Sequence, residues 1–256
     1  MNPDTPIPSS PVLLITGGSR GIGASVARLA AQQGHAVCIS YRHRGDLAEA
    51  LVAEIRADGG RALAVQADVA VEADVLRLFE RVAAELGPLT GLVNNAGMLE
   101  TQMRVADMGA ERLRRVFDTN IVGSFLCARE AVRRMSTARG GTGGAIVNLS
   151  SRAARLGAPG EFVDYAASKG AIDSFTIGLS REVADEGIRV NAVAPGLIET
   201  EIHASAGEPG RVERLKAGVP MRRGGHPDEV ARAVLWLLSA EASYITGTVV
   251  DVSGGR

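Results

Sequence analysis

The sequence predicts an α/β fold, in which one doubly wound parallel sheet of seven strands carries helices on both faces. Three observations support this prediction. Short apolar runs rich in β-branched residues alternate with amphipathic helical patterns along the chain. The first of these runs leads directly into a glycine-rich turn and a helix. Polar residues recur just after the runs, as expected at the carboxyl edge of a parallel sheet.

The predicted elements alternate along the whole chain. Strands are expected at residues 12–15, 36–41, 61–67, 89–93, 145–149, 188–193 and 248–252. Helices are expected from the glycine-rich turn to about residue 33, then at 46–57, 72–86, 111–135, from about 165 to 186, and at 227–239. Because the sequence shows no internal repeat and no linker, residues 11–256 are predicted to form a single domain after a loose tail at residues 1–10.

Composition limits the classes of partner. The 256 residues carry a formal net charge of −1, so no overall field attracts nucleic acid or an anionic membrane. The tail lacks the apolar segment of a signal peptide, and the longest apolar runs are too short to span a bilayer. Cys38 and Cys127 lie in apolar runs without metal-ligand spacing, which predicts buried free thiols in a reducing compartment. We therefore expect a cytoplasmic protein that binds neither nucleic acid nor membrane, and no metal site.

The glycine-rich turn after the first strand predicts a dinucleotide site. Its glycines, Gly17, Gly21 and Gly23, follow the spacing Gly-x3-Gly-x-Gly. Glycine lets the backbone approach a pyrophosphate, and the helix that follows offers free N–H groups and a partial positive charge. Ser19, Arg20 and Ile22 belong to the same turn and are expected to contact the cofactor. An ordinary tight turn is the alternative.

The end of the second strand indicates which cofactor is preferred. An acid usually stands here to hold the ribose 2′-hydroxyl of NAD, whereas this chain has Ser40, Tyr41 and Arg42. A guanidinium pairs well with phosphate oxygens, so Arg42, with Arg20 and Ser40, favours the 2′-phosphate of NADP(H). NAD(H) remains possible, because these arginines are also typical of a solvated turn.

Tyr165 and Lys169 are the candidate catalytic pair. Their i, i+4 spacing on a predicted helix puts them on one face. A cation at about 4 Å is worth about 4 kcal/mol at an effective dielectric of about 20. It would lower the pKa of a tyrosine from about 10 by as much as about 3. Such a phenol exchanges protons with an alcohol or carbonyl near neutral pH. Alone, the spacing fits an ordinary surface pair equally well.

Two further polar residues are candidates for the same site. Ser151 follows the fifth strand and precedes the helix of Tyr165, so its hydroxyl could share a substrate oxygen with the phenol. A serine that caps backbone is the alternative. Asn120 lies inside a predicted helix, where asparagine is unfavourable. It could orient a carbonyl or a water, or be a satisfied buried amide.

Together these motifs resemble the short-chain dehydrogenase/reductase family, over about residues 12–256. The motifs are Thr16-Gly17-x3-Gly21-Ile22-Gly23, Asn94-Asn95-Ala96-Gly97, Asn120, Ser151, Tyr165-x3-Lys169 and Pro195-Gly196. The resemblance implies a Rossmann-type fold, usually in homotetramers, and hydride transfer between nicotinamide and a carbonyl or alcohol carbon of a small molecule. Sugar dehydrogenases and 3-oxoacyl reductases of the family look similar.

The resemblance also implies residue roles. Tyr165 would be the acid/base, Ser151 would polarise the substrate oxygen, and Lys169 would lower the pKa of Tyr165 and bind the nicotinamide ribose. Asn120 would order a water that links Lys169 to solvent. The remaining cofactor contacts implied are Asp68 and Val69 at the adenine, Asn94 at the adenosine ribose, Thr200 at the nicotinamide amide, and Ala96, Gly97, Pro195, Gly196 and Ile198.

One departure from the family concerns the loop before Tyr165. The separation between Ser151 and Tyr165 is one residue longer than the common spacing, which leaves Ser150 as an alternative to the preferred Ser151.

The segment at residues 196–225 is predicted to form a substrate lid, because a stretch of this length in a compact domain often covers a site. A mainly apolar carbonyl is expected in a pocket lined by Leu156, Phe162, Val163, Ile198, Ile202 and Leu215, with His203 and Glu161 as candidate polar contacts.

The sequence thus favours an NADP(H)-dependent carbonyl reductase or alcohol dehydrogenase. Two alternatives stay open: a non-catalytic NADPH-binding sensor or regulator, and an NAD-preferring sugar or polyol dehydrogenase.

Overall fold

The computed structural model describes residues 10–256. Of the predicted tail, residues 1–9 lie outside the described part. Seven strands form one parallel sheet in the order β3-β2-β1-β4-β5-β6-β7. They are β1 (Val12–Ile15), β2 (Ala36–Tyr41), β3 (Ala62–Gln66), β4 (Leu89–Asn94), β5 (Gly144–Leu149), β6 (Ile188–Pro195) and β7 (Val249–Val252). The order reverses between β1 and β4, which confirms the predicted doubly wound sheet.

The long helices occur where the sequence predicts them. They are α1 (Gly21–Gln32), α2 (Gly45–Ala57), α3 (Glu72–Glu85), α4 (Ala110–Phe117), α5 (Gly123–Met135), α7 (Val163–Glu182) and α10 (Pro227–Leu238). Three short helices, α6 (Ala153–Leu156), α8 (Ile202–Ser205) and α9 (Arg211–Leu215), lie outside the predicted helices. One difference is that the single helix predicted at residues 111–135 is divided. A π-helical turn, Asp118–Val122, joins α4 to α5.

Two apolar cores enclose the sheet, one on each face. Alternate residues of each strand face opposite sides, so Leu13 and Ile15 pack with α1, α2 and α10, whereas Val12 and Leu14 pack with α3 and α5. This arrangement confirms helices on both faces. It leaves the carboxyl edge of the sheet, where the strands run into loops, as the place where polar side chains can collect.

Both cysteines are fully buried in the strands and helices that build this core. Cys38 lies on β2 and Cys127 on α5, and both are free thiols. Burial raises the pKa of Cys38 and raises the pKa of Cys127 to about 12, so both thiols are protonated at neutral pH.

None of the helices in residues 10–256 is both long and apolar enough to cross a membrane.

Candidate active site

A cavity of about 860 Å³ opens at the carboxyl edge of the sheet. Its volume lies in the upper part of the usual range for ligand sites, about 300–1,000 Å³. The predicted site residues that line it are Gly17, Ser19, Arg20, Gly21, Ile22, Ser40, Tyr41, Arg42, Asp68, Val69, Ala96, Gly97, Ser151, Tyr165, Lys169, Pro195, Gly196, Ile198 and Thr200. Gly23, Asn94 and Asn120 were also predicted, but they are not among the lining residues. The parallel sheet therefore brings residues from the loops after six of its strands together around one cavity.

The glycine-rich turn is held in a conformation that needs glycine. Gly17 has φ +62°, and a Cβ there would lie 2.9 Å from the Cα of Ala96. A Cβ on Gly23 would lie 2.6 Å from the side-chain nitrogen of Asn95. Gly17 thus shapes the cavity wall, whereas Gly23 contributes through close packing behind it.

The first turn of α1 faces the cavity through Gly21 and Ile22. No side chain in the described part of the chain caps this helix end, and no acidic residue occupies its first turn. Its first N–H groups have no partner within the helix, and the helix dipole gives this end a partial positive charge. These properties fit an anion such as a pyrophosphate.

Asn95 and Thr16 fix the turn against the end of β4. The Asn95 amide donates to the carbonyls of Thr16 and Gly17, at 2.9 and 2.8 Å. The hydroxyl oxygen of Thr16 accepts from the N–H groups of Asn95 and Ala96, at 3.1 and 3.0 Å. Both residues belong to motifs noted in the sequence, but neither was predicted to have a role. The feature that could have indicated the role of Asn95 is its place as the second asparagine of the Asn-Asn pair.

Asn94 lies beneath the cavity rather than in its wall. Its side chain is buried, and its amide donates to Oδ1 of Asn148 at 2.9 Å and to the carbonyl of Ser124 at 3.2 Å. The Asn148 amide in turn donates to the hydroxyl of Thr176 at 2.9 Å. This chain of hydrogen bonds ties β4, β5 and α7 together below the site, so the side chain of Asn94 acts as a support.

Arg42 stands at the outer end of the cavity and is paired with Asp68. Its Nε lies 2.9 Å from Oδ2 of Asp68, and its side chain is 56% exposed. The other carboxylate oxygen of Asp68 accepts the N–H of Ala70 at 3.0 Å. Ser40 is buried, and its hydroxyl oxygen accepts the N–H of Gly17 at 3.3 Å. An anion that binds Arg42 would therefore either displace Asp68 or share the guanidinium with it.

Ser151 and Ser150 face different partners. Ser150 is buried and its hydroxyl donates to the carboxylate of Asp173, with the carbonyl of Lys169 3.3 Å from the same oxygen. Ser151 faces Tyr165, and its hydroxyl lowers the pKa of the phenol, although burial has the larger, opposite effect. Its hydroxyl oxygen also accepts the N–H of Ala153 at 3.1 Å. This difference favours Ser151 over Ser150 as the serine beside the tyrosine.

Lys169 and Tyr165 lie together, but their pKa values differ from expectation. The Lys169 ammonium is 5.6 Å from the Tyr165 ring centroid and donates to the carbonyl of Leu149 at 2.6 Å. Burial raises the pKa of Tyr165, and burial lowers the pKa of Lys169 to about 8. The lowered tyrosine pKa expected from the sequence is therefore not found; the pKa of Tyr165 is raised instead. Desolvation of both charged forms outweighs their mutual effect.

Asn120 is fully buried in the π-helical turn. Its Oδ1 accepts the N–H of Met98 at 2.8 Å, and its amide donates to the Met98 carbonyl at 3.1 Å and to the Ser168 hydroxyl at 3.0 Å. A Cβ on Gly97 would lie 3.5 Å from Nζ of Lys169 and 3.6 Å from Oδ1 of Asn120. Asn120 thus joins the loop after β4 to α7 directly behind Lys169. A π-turn at such a place is a frequent feature of functional sites.

The segment predicted as a lid lies along the substrate end of the cavity. Ile202, His203 and Arg211 from this segment line the cavity with Leu156, Glu161 and Phe162. Val163 and Leu215 were expected there too but are not lining residues. Nε2 of His203 lies 2.9 Å from the carbonyl of Ile198, and burial lowers the pKa of the imidazole.

Arg211 was missed by sequence reasoning. Its guanidinium lies over the Phe162 ring, 5.0 Å from the centroid, and bonds the carboxylates of Glu161 and Glu208. No local motif marks its place in the cavity wall, because two of its three partners, Glu161 and Phe162, come from a distant loop. Within residues 10–256 no group of three or more His, Cys, Asp or Glu side chains could hold a metal ion.

The sequence of this chain is similar to those of known oxidoreductases. Residues 17–256 match a family model described as enoyl-(acyl carrier protein) reductase. The uncharacterized oxidoreductase YgfF of Escherichia coli K12 is 55% identical over 96% of this chain and 99% of its own. The 3-oxoacyl-[acyl-carrier-protein] reductase FabG of Staphylococcus aureus is 38% identical over 94% of this chain and 96% of its own.

Solved structures agree with these relatives. A variant of a Serratia marcescens short-chain dehydrogenase/reductase has a TM-score of 0.88 at 34% identity, over 97% of this chain and 98% of that one. A Burkholderia cenocepacia short chain dehydrogenase in complex with NADP has a TM-score of 0.86 at 33% identity, over 95% and 96%. The chain therefore belongs to the short-chain dehydrogenase/reductase family, whose members are NAD(P)-dependent oxidoreductases acting on CH–OH and C=O groups.

Proposed function

We propose that this protein is an NADP(H)-dependent oxidoreductase that interconverts a small carbonyl compound and its alcohol, with Tyr165 as the acid/base. One observation carries the proposal: Tyr165, Ser151 and Lys169 lie in the same cavity as the uncapped end of α1. A site with an anion cradle at one end and a buried proton donor at the other fits cofactor-dependent chemistry on a carbonyl.

The cofactor would lie along the glycine-rich turn. The N–H groups at the start of α1, with Gly17 and Gly21 in contact range, would hold the pyrophosphate. Asp68 and Val69 would face the adenine, Thr200 and Ile198 would lie by the nicotinamide, and Lys169 would bind its ribose. The nicotinamide supplies or accepts the hydride when bound. The absence of a capping side chain at α1 among the described residues supports this fit.

The preference for NADP(H) rests on Arg42 and Arg20. Both guanidinium groups border the cavity, and the end of β2 carries no acid that would repel a 2′-phosphate. The pairing of Arg42 with Asp68 indicates a carboxylate that the phosphate must displace or share. The relative from Burkholderia cenocepacia that was crystallised with NADP supports the same preference.

The proton chemistry follows from the burial of Tyr165. Because burial raises the pKa of the phenol, it is protonated at neutral pH and is set to act as a general acid toward a carbonyl oxygen. Ser151 would donate a second hydrogen bond to the same oxygen, which stabilises the developing negative charge. Lys169, with its pKa lowered to about 8, keeps a proton at pH 7 and stabilises the phenolate left behind. These properties favour carbonyl reduction.

The substrate end supports a mainly apolar molecule. Leu156, Phe162 and Ile202 line it, with Met98 and Leu99 on the opposite loop. Residues 196–225 would act as the lid, since α8 and α9 both lie in this segment. Glu161 and Arg211, which also line the cavity here, form an ion pair, so their charges neutralise each other.

Assembly into a homotetramer is part of the same proposal. The outer faces of α5 and α7 expose Phe125 and Ile177, each more than a third accessible. Apolar side chains on adjacent helices are typical of a surface that a second copy covers. Light scattering of the purified protein measures the oligomeric state directly.

The test is a panel of ketones, aldehydes and secondary alcohols assayed with NADPH, NADP, NADH and NAD at the nicotinamide absorbance band. We expect turnover with at least one carbonyl and NADPH. Tyr165→Phe should keep the affinity for NADPH within about twofold and lose turnover by at least about 100-fold. NADPH binding without turnover across the panel would instead identify a sensor.

A further inference from the structure

A buried ion pair stands directly beside the candidate acid/base without lining its cavity. Nε of Arg112, on α4, lies 2.7 Å from Oδ2 of Asp164, on α7, and its Nη2 lies 3.3 Å from Oδ1. The side chains are only 6% and 1% exposed. Burying two charges is costly unless geometry and further hydrogen bonds compensate, so this pair requires a reason beyond general stability.

The carboxylate of the pair holds the backbone of Tyr165. Asp164 is the second residue of α7, and its Oδ1 accepts the N–H of Tyr165 at 2.9 Å. A negative charge in the first turn of a helix is also stabilised by the helix dipole. The carboxylate therefore fixes the turn from which the Tyr165 phenol extends toward Ser151.

The guanidinium of the pair holds the opposite wall. Nη1 of Arg112 donates to the carbonyl of Thr101 at 2.6 Å. Thr101 belongs to the loop after β4, which contributes Met98 and Leu99 to the cavity. The same loop is tied to the segment before α7, where the N–H of Met103 donates to the carbonyl of Glu161 at 3.0 Å. One guanidinium thus connects both walls of the substrate end.

We propose that Arg112 and Asp164 are positioning residues for the proton transfer at Tyr165. The planar fork of Arg112 sets the start of α7 and the Met98–Leu99 wall at a fixed separation, so that the phenol meets the substrate oxygen in one orientation. The inference rests on the proposed function. It assigns a role to two residues that touch neither the cavity nor any candidate catalytic side chain, except through the backbone of Tyr165.

Two variants separate positioning from simple stabilisation. Arg112→Met combined with Asp164→Leu removes both charges and keeps apolar volume, a replacement that buried ion pairs tolerate well. Arg112→Lys keeps the charge but loses the fork that reaches two acceptors at once. For each variant kcat, KM, the dissociation constant for NADPH and the pH profile of kcat are measured with the best carbonyl from the panel.

We expect the double variant to lose at least about 10-fold in kcat, because a displacement near 1 Å at a reacting group can cost about 100-fold. Its affinity for NADPH should stay within about twofold, since neither Arg112 nor Asp164 hydrogen-bonds the cradle at α1, and the apparent pKa in its kcat profile should move. Arg112→Lys should lose about 3- to 10-fold in kcat, and its affinity for NADPH should also stay within about twofold.

Glu130→Gln is the matched control, because Glu130 is also a buried charge paired with arginine but lies on α5 outside the cavity. It should leave kcat unchanged.

A folded double variant with the kcat and pH profile of the wild type would overturn the inference. If the double variant does not fold, the kcat and pH profile of Arg112→Lys, compared with those of the wild type, decide the question. A wild-type protein that binds NADPH but turns over nothing in the panel contradicts the proposed function itself. An active wild type with equally active variants is a different outcome, and it would contradict only the role of Arg112 and Asp164.

Discussion

The ammonium of Lys169 lies 5.6 Å from the ring centroid of Tyr165 and donates its hydrogen bond to the carbonyl of Leu149. Lys169 is buried and Tyr165 beside it is half-buried, and each loses hydration in its charged form. Burial raises the pKa of Tyr165 and lowers the pKa of Lys169 to about 8. The site therefore carries a protonated phenol beside an ammonium that releases its proton more readily than an exposed lysine does.

The first prediction concerns the pH dependence of stability and Lys169. Below pH 8 both folded and unfolded chains carry the proton, and the folded state bears the full cost of the buried charge. Between pH 8 and about 10.4 the folded state releases a proton that the unfolded chain keeps, so the free energy of unfolding rises with pH. Lys169→Met removes this contribution. The stability of the variant relative to the wild type should fall by about 1–2 kcal/mol between pH 7.5 and pH 9.5.

Urea unfolding of both proteins at the two pH values measures this change. Because the difference between the two proteins is compared, the titrations of Cys38, Cys127 and other groups cancel. A difference that is the same at both pH values would show that Lys169 keeps an ordinary pKa in the fold.

The second prediction distinguishes the two adjacent serines. The hydroxyl of Ser151 faces Tyr165 and lowers the pKa of the phenol, whereas the hydroxyl of Ser150 donates to Asp173. Ser151→Ala should therefore lower kcat by about 100- to 1,000-fold, the usual loss when a donor to a developing oxyanion is removed. Ser150→Ala should lower kcat by less than about 10-fold, with most of its effect on thermal stability. Steady-state kinetics with the best substrate decide the assignment, and a larger loss in Ser150→Ala would reverse it.

The third prediction concerns cofactor preference at Arg42. Loss of a charge-assisted hydrogen bond costs about 1.5–3 kcal/mol, so Arg42→Ala should weaken NADPH binding by about 10- to 100-fold and leave NADH binding within about twofold. Asp68→Asn should tighten NADPH binding, because it releases Arg42 from its carboxylate. Fluorescence titration with both cofactors measures these constants.

Arg44→Ala is the control for Arg42→Ala, since Arg44 is paired with Asp46 two residues further on. If both variants weakened NADPH binding equally, the preference would reflect general charge at the cavity mouth rather than a contact of Arg42.

The fold and most of the cavity wall follow from sequence patterns, because both depend on local order. Strand, turn and helix alternate with clear periodicity, and strand ends must meet at one edge of a parallel sheet. The glycine-rich turn and Ser151 were located by this rule, and Tyr165 and Lys169 by their i, i+4 spacing on a helix. The burial of the Asn94 side chain was not foreseen, because the motif does not tell which of two adjacent asparagines turns inward.

Features that depend on long-range partners could not be read from the sequence. The pKa values of Tyr165 and Lys169 depend on how far water is excluded from both, which spacing does not report. Arg112 looks like one more charged residue of a surface helix until its partner Asp164, 52 positions away, is brought to it. The π-helical turn at Asn120 likewise needs Met98 and Ser168 to hold its side chain.

The fourth prediction concerns the proposed lid and the two arginines of α9. Arg211 is 12% exposed, bonds Glu161 and Glu208, and lies over Phe162, whereas Arg214 reaches the same two carboxylates from a half-exposed position. Exposed ion pairs contribute only about 0–1 kcal/mol, so most of the closing energy comes from Arg211. Arg211→Ala should raise KM by about 5- to 20-fold and speed proteolysis within residues 206–210, while Arg214→Ala should change KM by less than about threefold. Limited proteolysis and steady-state kinetics on both variants test this, and equal effects would mean that the lid is held by general charge balance rather than by the buried guanidinium of Arg211.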